Sequence, residues 1–141
     1  MMKILARVLA LGMILFVVLA ASACQSDEEG EVSLESMRTA LVDAGYAIIQ
    51  EDLESDEYAP DNLVGGFVFT FPGAHGAAET PVLEFADNAS ALAYAEIVNA
   101  NGHWVAIIND NFLTIAHAHH GVPHENERVF FENLLNGRGI E

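Results

Sequence analysis

The acidic residues of this chain begin abruptly at one point along it. All 21 aspartates and glutamates lie beyond Ala23, whereas the first 23 residues hold Lys3 and Arg7, two of the five basic residues. Such a split separates a targeting segment from the part of the chain that folds. Val8 to Ala21, VLALGMILFVVLAA, runs for 14 residues without a charge. That is the length of the apolar stretch of a signal peptide and falls short of the roughly 20 residues of a comfortable membrane span. Small residues follow, Ala20-Ala21-Ser22-Ala23, and then Cys24, the one cysteine of the chain.

Ala21-Ser22-Ala23-Cys24 resembles the lipobox of bacterial lipoproteins, a short run of small or aliphatic residues before an obligatory cysteine. Ala21 stands where leucine is commoner in that class. The resemblance implies cleavage before Cys24, acylation of that cysteine (palmitate serves as a label) and anchoring to a membrane of the bacterial cell envelope on its extracytoplasmic side. Gln25, in place of Asp, implies outer-membrane sorting in a cell with two membranes. The resemblance covers the first 24 residues and no more. Two other readings use the same residues: Ala21-x-Ala23 also fits secretory A-x-A cleavage, and the segment could persist as an uncleaved anchor. The expected organisation is a signal peptide over 1–23, an acidic tether over 24–32 and a small domain over 33–141. Gln25 to Val32, QSDEEGEV, holds four acids and one apolar residue, so it extends by self-repulsion and spans at most about 30 Å.

From Cys24 onward there are three arginines, no lysine and 21 acids, a formal charge of −18. Nucleic acid phosphates and anionic head groups are repelled by such a surface, so no nucleic acid partner is expected. The lack of lysine removes lysine Schiff-base chemistry and a P-loop lysine. Over half the whole chain is hydrophobic (52% of residues), well above a disordered composition, so the domain can bury a core without disulfides or metal.

Ser33 predicts the N-cap of a first helix with Leu34, Met37 and Leu41 on one face and Gly45 just past its end. Tyr46 to Gln50 reads as a short strand, and residues 51–62, with six acids, read as a solvated loop. Val64 to Phe71 is the clearest strand, since Phe67, Phe69 and Phe71 share one face. Pro72 to Pro81 (PGAHGAAETP) reads as a loop and Val82 to Ala86 as a third strand. Asp87 or Asn88 caps a helix that turns Ala91, Leu92, Ala95 and Val98 inward and ends at Asn101-Gly102. Trp104 to Ile108 and Phe112 to about His117 flank the turn Asn109-Asp110-Asn111. Pro123 opens a last helix burying Val129, Phe130, Leu134 and Leu135 and stopped by Gly137. The order αβββαββα implies an α+β fold: a two-layer sandwich with about five strands, antiparallel or mixed, and three helices. The link from Ala86 to Trp104 is long enough for a parallel crossover.

One dense constellation stands out, His117-Ala118-His119-His120-Gly121-Val122-Pro123-His124. In a strand His117 and His119 share a face about 6.6 Å apart, and His124 could swing back from the helix start with Glu125 or Glu127 as an oxygen ligand. Zinc and copper accept such imidazole sets, although the spacing matches no enzyme motif. A His-rich, wet strand end explains the same residues. His75 and His103 are solitary, Asn109-Asp110-Asn111 lacks the frame of a calcium loop, and the phenylalanine triplet reads as core. No catalytic motif is present: there is no G-x-S-x-G, S-x-x-K or glycine-rich phosphate loop. Ser33, Ser36, Ser55 and Ser90 fall at helix starts or in loops. The expectation is a lipid-anchored, non-enzymatic extracytoplasmic binding or interaction module with no cofactor. The alternative is a metal-handling lipoprotein that holds zinc or copper through His117, His119 and His124.

Overall fold

A computed structural model describes residues 31–53, 60–73 and 76–140. The signal segment, Cys24, most of the tether, Ser55 and His75 lie outside the described residues. Among the described residues no helix is long and apolar enough to cross a membrane.

Helix α1 (Leu34–Asp43) starts where a side chain can replace the missing backbone acceptor. The Ser36 amide donates to Ser33 Oγ at 3.1 Å, and the Ser33 amide donates to Ser36 Oγ at 2.9 Å, a reciprocal capping box. Met37 and Leu41 are buried, as their spacing predicts. The expected strand from Tyr46 begins later, as β1 (Ile48–Gln50). The Tyr46 amide is drawn to the Leu41 carbonyl at the helix end, 2.9 Å away, so it does not join the ladder.

Strands β2 (Leu63–Gly73) and β3 (Gly76–Phe85) form one long hairpin in register from Phe67↔Val82 to Gly73↔Gly76. Most of the expected loop over 72–81 is therefore strand. Glycine, alanine and proline have weak strand propensity, but pairing with an aromatic-rich neighbour overrides it.

Helix α2 (Asn88–Asn99) is capped by Asp87, whose carboxylate accepts from the Ser90 amide at 2.7 Å. That backbone bond first, and the Ser90 hydroxyl second, hold the Asp87 carboxyl below its ordinary range. A lowered folded-state pKa means the bond stabilises above the unfolded value and is lost as pH falls through the folded one. Asp87→Ala is thus expected to lower the melting temperature at pH 7, and the gap from wild type is expected to close near pH 2. A gap unchanged between these pH values, measured by thermal unfolding, would refute the assignment.

Strands β4 (Trp104–Asn109) and β5 (Phe112–His119) are joined by a two-residue turn with Asp110 at φ 54°. A second tight turn follows, His120 at φ 53° and Gly121 at φ 78°, leading into β6 (Val122–Pro123). Two successive left-handed residues suit the twist of a two-residue hairpin. Pro123 therefore ends a strand, and the last helix, α3 (Glu125–Leu135), starts two residues later with His124 as its N-cap.

The α+β class and the order αβββαββα hold, with β6 as a sixth strand. The sheet runs β1-β2-β3-β5-β4, with β6 on β5, and every neighbouring pair is antiparallel. Helix α2 does carry the chain across the sheet, but β5 inserts between β3 and β4 and leaves no parallel neighbours.

Because successive strand residues face opposite ways, the two core clusters lie on opposite sides of the sheet. Phe67, Phe69, Val82, Ile107 and Phe112 pack with Met37 and Leu41 of α1 and with Phe130, Phe131, Leu134 and Leu135 of α3. The expected two-layer sandwich accounts for this face only: helices cover both faces of the sheet and make three layers, because the strands carry apolar residues on both sides. Leu83, Phe85 and Leu113 face the other way and are covered by Ala91 and Ala95 of α2. Two inward assignments change. Leu92 is 50% exposed and Val129 42% exposed, while Tyr94 (ring centroid 5.6 Å from Phe85) and buried Phe131 pack in their place. Phe85 and the phenylalanines of β2 decide which arc of each helix turns in.

Candidate functional site

The histidines divide between two places. On β5, His117 and His119 share a face, as alternation requires. The His117 ring meets Trp104 edge-on at 5.4 Å, and the His119 and His120 rings lie 5.2 Å apart. With His103 they line an open hollow of about 450 Å³. His124 is not part of that lining. As N-cap of α3 it lines a different hollow, beside Tyr46, Phe71 and Glu125. Among the described residues there is no group of three or more His, Cys, Asp or Glu that could hold a metal ion. The expected set His117, His119 and His124 is thus not gathered around one point. Sequence spacing implied a flexible return from the helix start, whereas the β5–β6 turn and the cap of α3 set the path of the chain.

The other sequence candidates are occupied structurally. Asn111 Nδ2 donates to the Phe85 carbonyl at 3.0 Å and Asn109 Nδ2 to the Leu135 carbonyl at 2.8 Å, so the turn ties β4–β5 to its neighbours. Ser33, Ser36 and Ser90 take part in helix-cap bonds. Asn99 and Asn101 accept the Ala106 and Trp104 amides at 2.8 and 3.2 Å, which blunts the outer edge of β4 against strand addition.

A cleft that no motif announces lies where the sheet forks. Pairing between β3 and β5 extends only over Val82–Glu84. The next residue back along β3 is Pro81, which has no amide hydrogen to continue a ladder, and its carbonyl accepts from Thr114 Oγ1 at 2.7 Å. Beyond this point the β2–β3 hairpin and the β4–β5 hairpin part. The gap, about 110 Å³, has Phe71 and Phe131 on one side and Trp104, Ile115 and His117 on the other, with Ala78 and Thr80 from β3. Its lining also includes Glu127 of α3, only 6% exposed, which borders the hollow beside Tyr46 and His124 as well. Gly73 makes room for it, since a Cβ there would sit 3.1 Å from Glu127 Oε1. The neighbouring Arg128 turns to Glu125 and Glu132, with the second bond at 2.6 Å. Glu125, hydrogen-bonded by that arginine, is held below the ordinary carboxylate range.

Sequence reasoning missed the cleft because its members come from β2, β3, β4, β5 and α3, with no two in a motif. Pro81 was its one local signal, a proline that reads as loop when its strand partner is unknown. In comparisons with protein-family models, curated proteins and solved structures, the chain gives no significant match.

Proposed function

We propose that this chain is a lipid-anchored extracytoplasmic binding module without catalytic activity of its own, and that the forked cleft is where it binds. The anchoring half rests on the sequence: the apolar segment, the small residues and Cys24. The binding half rests on one observation, an aromatic-lined cleft whose lining includes a nearly buried glutamate. Concave sites with apolar walls and a few placed polar groups are the usual form of a small-ligand site. The acidic tether and the acidic domain are both repelled by an anionic bilayer. The zinc or copper alternative has less behind it, because His124 lines a different hollow from His117 and His119.

Expression of the full chain in a bacterium fed radiolabelled palmitate tests the anchoring. Label is expected in the wild-type protein and in its membrane fraction. Cys24→Ala is expected to carry none and to leave that fraction. An unlabelled wild-type protein, or a Cys24→Ala variant that stays membrane-bound, would overturn the lipid anchor.

A further inference from the structure

We infer that the forked cleft takes a short extended peptide of alternating apolar and basic residues, added as a strand to the edge of β3; the inference rests on the reading of the cleft as the binding site and names its ligand class. The pairing of β2 with β3 decides which backbone groups face the fork. Thr70, opposite Glu79, sends its amide away from β3 to the Ala47 carbonyl, 3.0 Å away. Opposed residues of an antiparallel ladder alternate between bonded and non-bonded pairs. Ala77, Glu79 and Pro81 therefore turn their backbone groups away from β2 and toward β5. The Pro81 carbonyl accepts from Thr114 Oγ1, and β5 pairs with β3 no further than Val82. Among the described residues no strand pairs with that side of Ala77 or Glu79, and both residues are exposed. Their two amides and two carbonyls are a template for one more strand. The other borders of the sheet are closed to this use: β1 is three residues long, Asn99 and Asn101 occupy amides of β4, and β6 ends on Pro123.

Strand alternation sets the chemistry of the occupant. A side chain beside Ala78 or Thr80 enters the gap lined by Phe71 and Phe131, whose volume of about 110 Å³ admits one apolar group. The residue opposite Glu79 lies on the other face of the sheet, across from an exposed acid. A basic residue there makes a favourable cross-strand pair, and an acidic one sets like charges directly opposite. No lysine or arginine lines the cleft. The part of the chain beyond Ala23 carries a formal charge of −18, which draws in a cationic peptide and opposes a second copy of this chain on the same edge.

Trp104 is the only tryptophan in the chain and lines the cleft, so its fluorescence reads occupancy. The full chain in maltoside micelles is titrated with a capped pentapeptide that alternates isoleucine and lysine. The same peptide with glutamate for lysine, its form N-methylated throughout, and benzyl alcohol, a small neutral guest, serve as comparisons. The expected result is a saturable change with the lysine peptide, weakened about tenfold by N-methylation and in Ala77→Pro, which removes an edge amide and leaves the β2 ladder intact. Glu79→Lys is expected to weaken it about threefold. Ala78→Leu, which fills the gap, is expected to abolish it. No saturable change with the lysine peptide, or equal binding of its N-methylated form, overturns the inference, and neither result needs a protein variant to fold. Equal binding of the glutamate peptide overturns the basic class of ligand. A response that N-methylation spares but Ala78→Leu abolishes overturns strand addition and leaves the cleft as a binding site, as does saturation by benzyl alcohol alone. Silence from both the peptides and benzyl alcohol, or a peptide response that survives Ala78→Leu, overturns the cleft as the site as well. Palmitate labelling is independent of every one of these outcomes.

Discussion

Phe69→Ala is expected to lower the unfolding free energy by about 3–5 kcal/mol, the usual cost of removing a buried phenylalanine. The ring is fully buried in β2 and stands at the centre of the largest core cluster. Tyr46 meets it edge-on at 6.1 Å, Phe131 at 6.4 Å, and Phe67 and Phe71 flank it at 6.4 Å each. These neighbours belong to α3, to the segment after α1 and to β2 itself, so the cavity cannot close by moving one element. A domain of this size has in all about 5–15 kcal/mol to lose. Urea denaturation reads the effect as a lower midpoint with little change in slope. Phe69→Leu, which keeps most of the volume, is expected to cost less than half as much. A loss under about 1 kcal/mol for Phe69→Ala would mean that the two helices do not close over this ring.

The adjacent glycines of β2 supply the second prediction, a contrast between two identical substitutions. A Cβ on Gly66 would lie 2.7 Å from the Val82 carbonyl oxygen, a backbone atom fixed in the β2–β3 ladder, with Leu53 and Leu83 at 3.1 and 3.2 Å. On Gly65 it would meet only the end of the Leu34 side chain, at 3.1 Å. Strand glycines ordinarily cost stability, so Gly→Ala in the absence of a clash gains roughly 0.5–1 kcal/mol. Gly65→Ala is expected to fall within about 1 kcal/mol of wild type, since the leucine can turn aside. Gly66→Ala is expected to lose about 1–3 kcal/mol, because the hairpin must open to admit the methyl group. Paired urea curves check this, and equal midpoints for the two variants would refute it. The same closeness explains the glycine at 66 inside a strand that otherwise reads as strongly β-forming.

Much of the architecture was legible from local signals. Ser33 and Asp87 mark their helix starts because a cap needs only its own side chain and an amide a few residues on. Phe67 and Phe69 declare their face because strand alternation needs no partner, and Met37 and Leu41 do so by helical spacing. The Asn109–Asn111 turn was equally visible, since Asp110 tolerates the left-handed conformation.

What escaped the sequence depends on residues distant in the chain. Pro72 to Pro81 reads as a loop by composition, yet Pro72 and Gly73 end β2 and residues 76–81 pair with that strand. Pro123 looked like a helix start until the His120-Gly121 turn folded it back on Ala118. The inward arc of α2 shifted from Leu92 to Tyr94 because Phe85 offers a ring to pack against. For the candidate sites the division is sharper. The histidine run was obvious, and His117, His119 and His120 do share one hollow, but a tight hairpin and a helix cap direct His124 to another. The cleft was invisible, because Glu127, Trp104, Phe71 and Thr80 meet only when five elements are in place.

The sequence by itself determined the class of fold, the order of elements and the face that each β2 phenylalanine presents, since caps, periodicities and turns act over a few residues. Tertiary structure alone decided where the sheet forks, which helix covers which face and which side chains meet at a site. Those outcomes hang on one missing amide hydrogen at Pro81 and on the packing of rings far apart in the chain, and neither is a property of any short stretch of sequence.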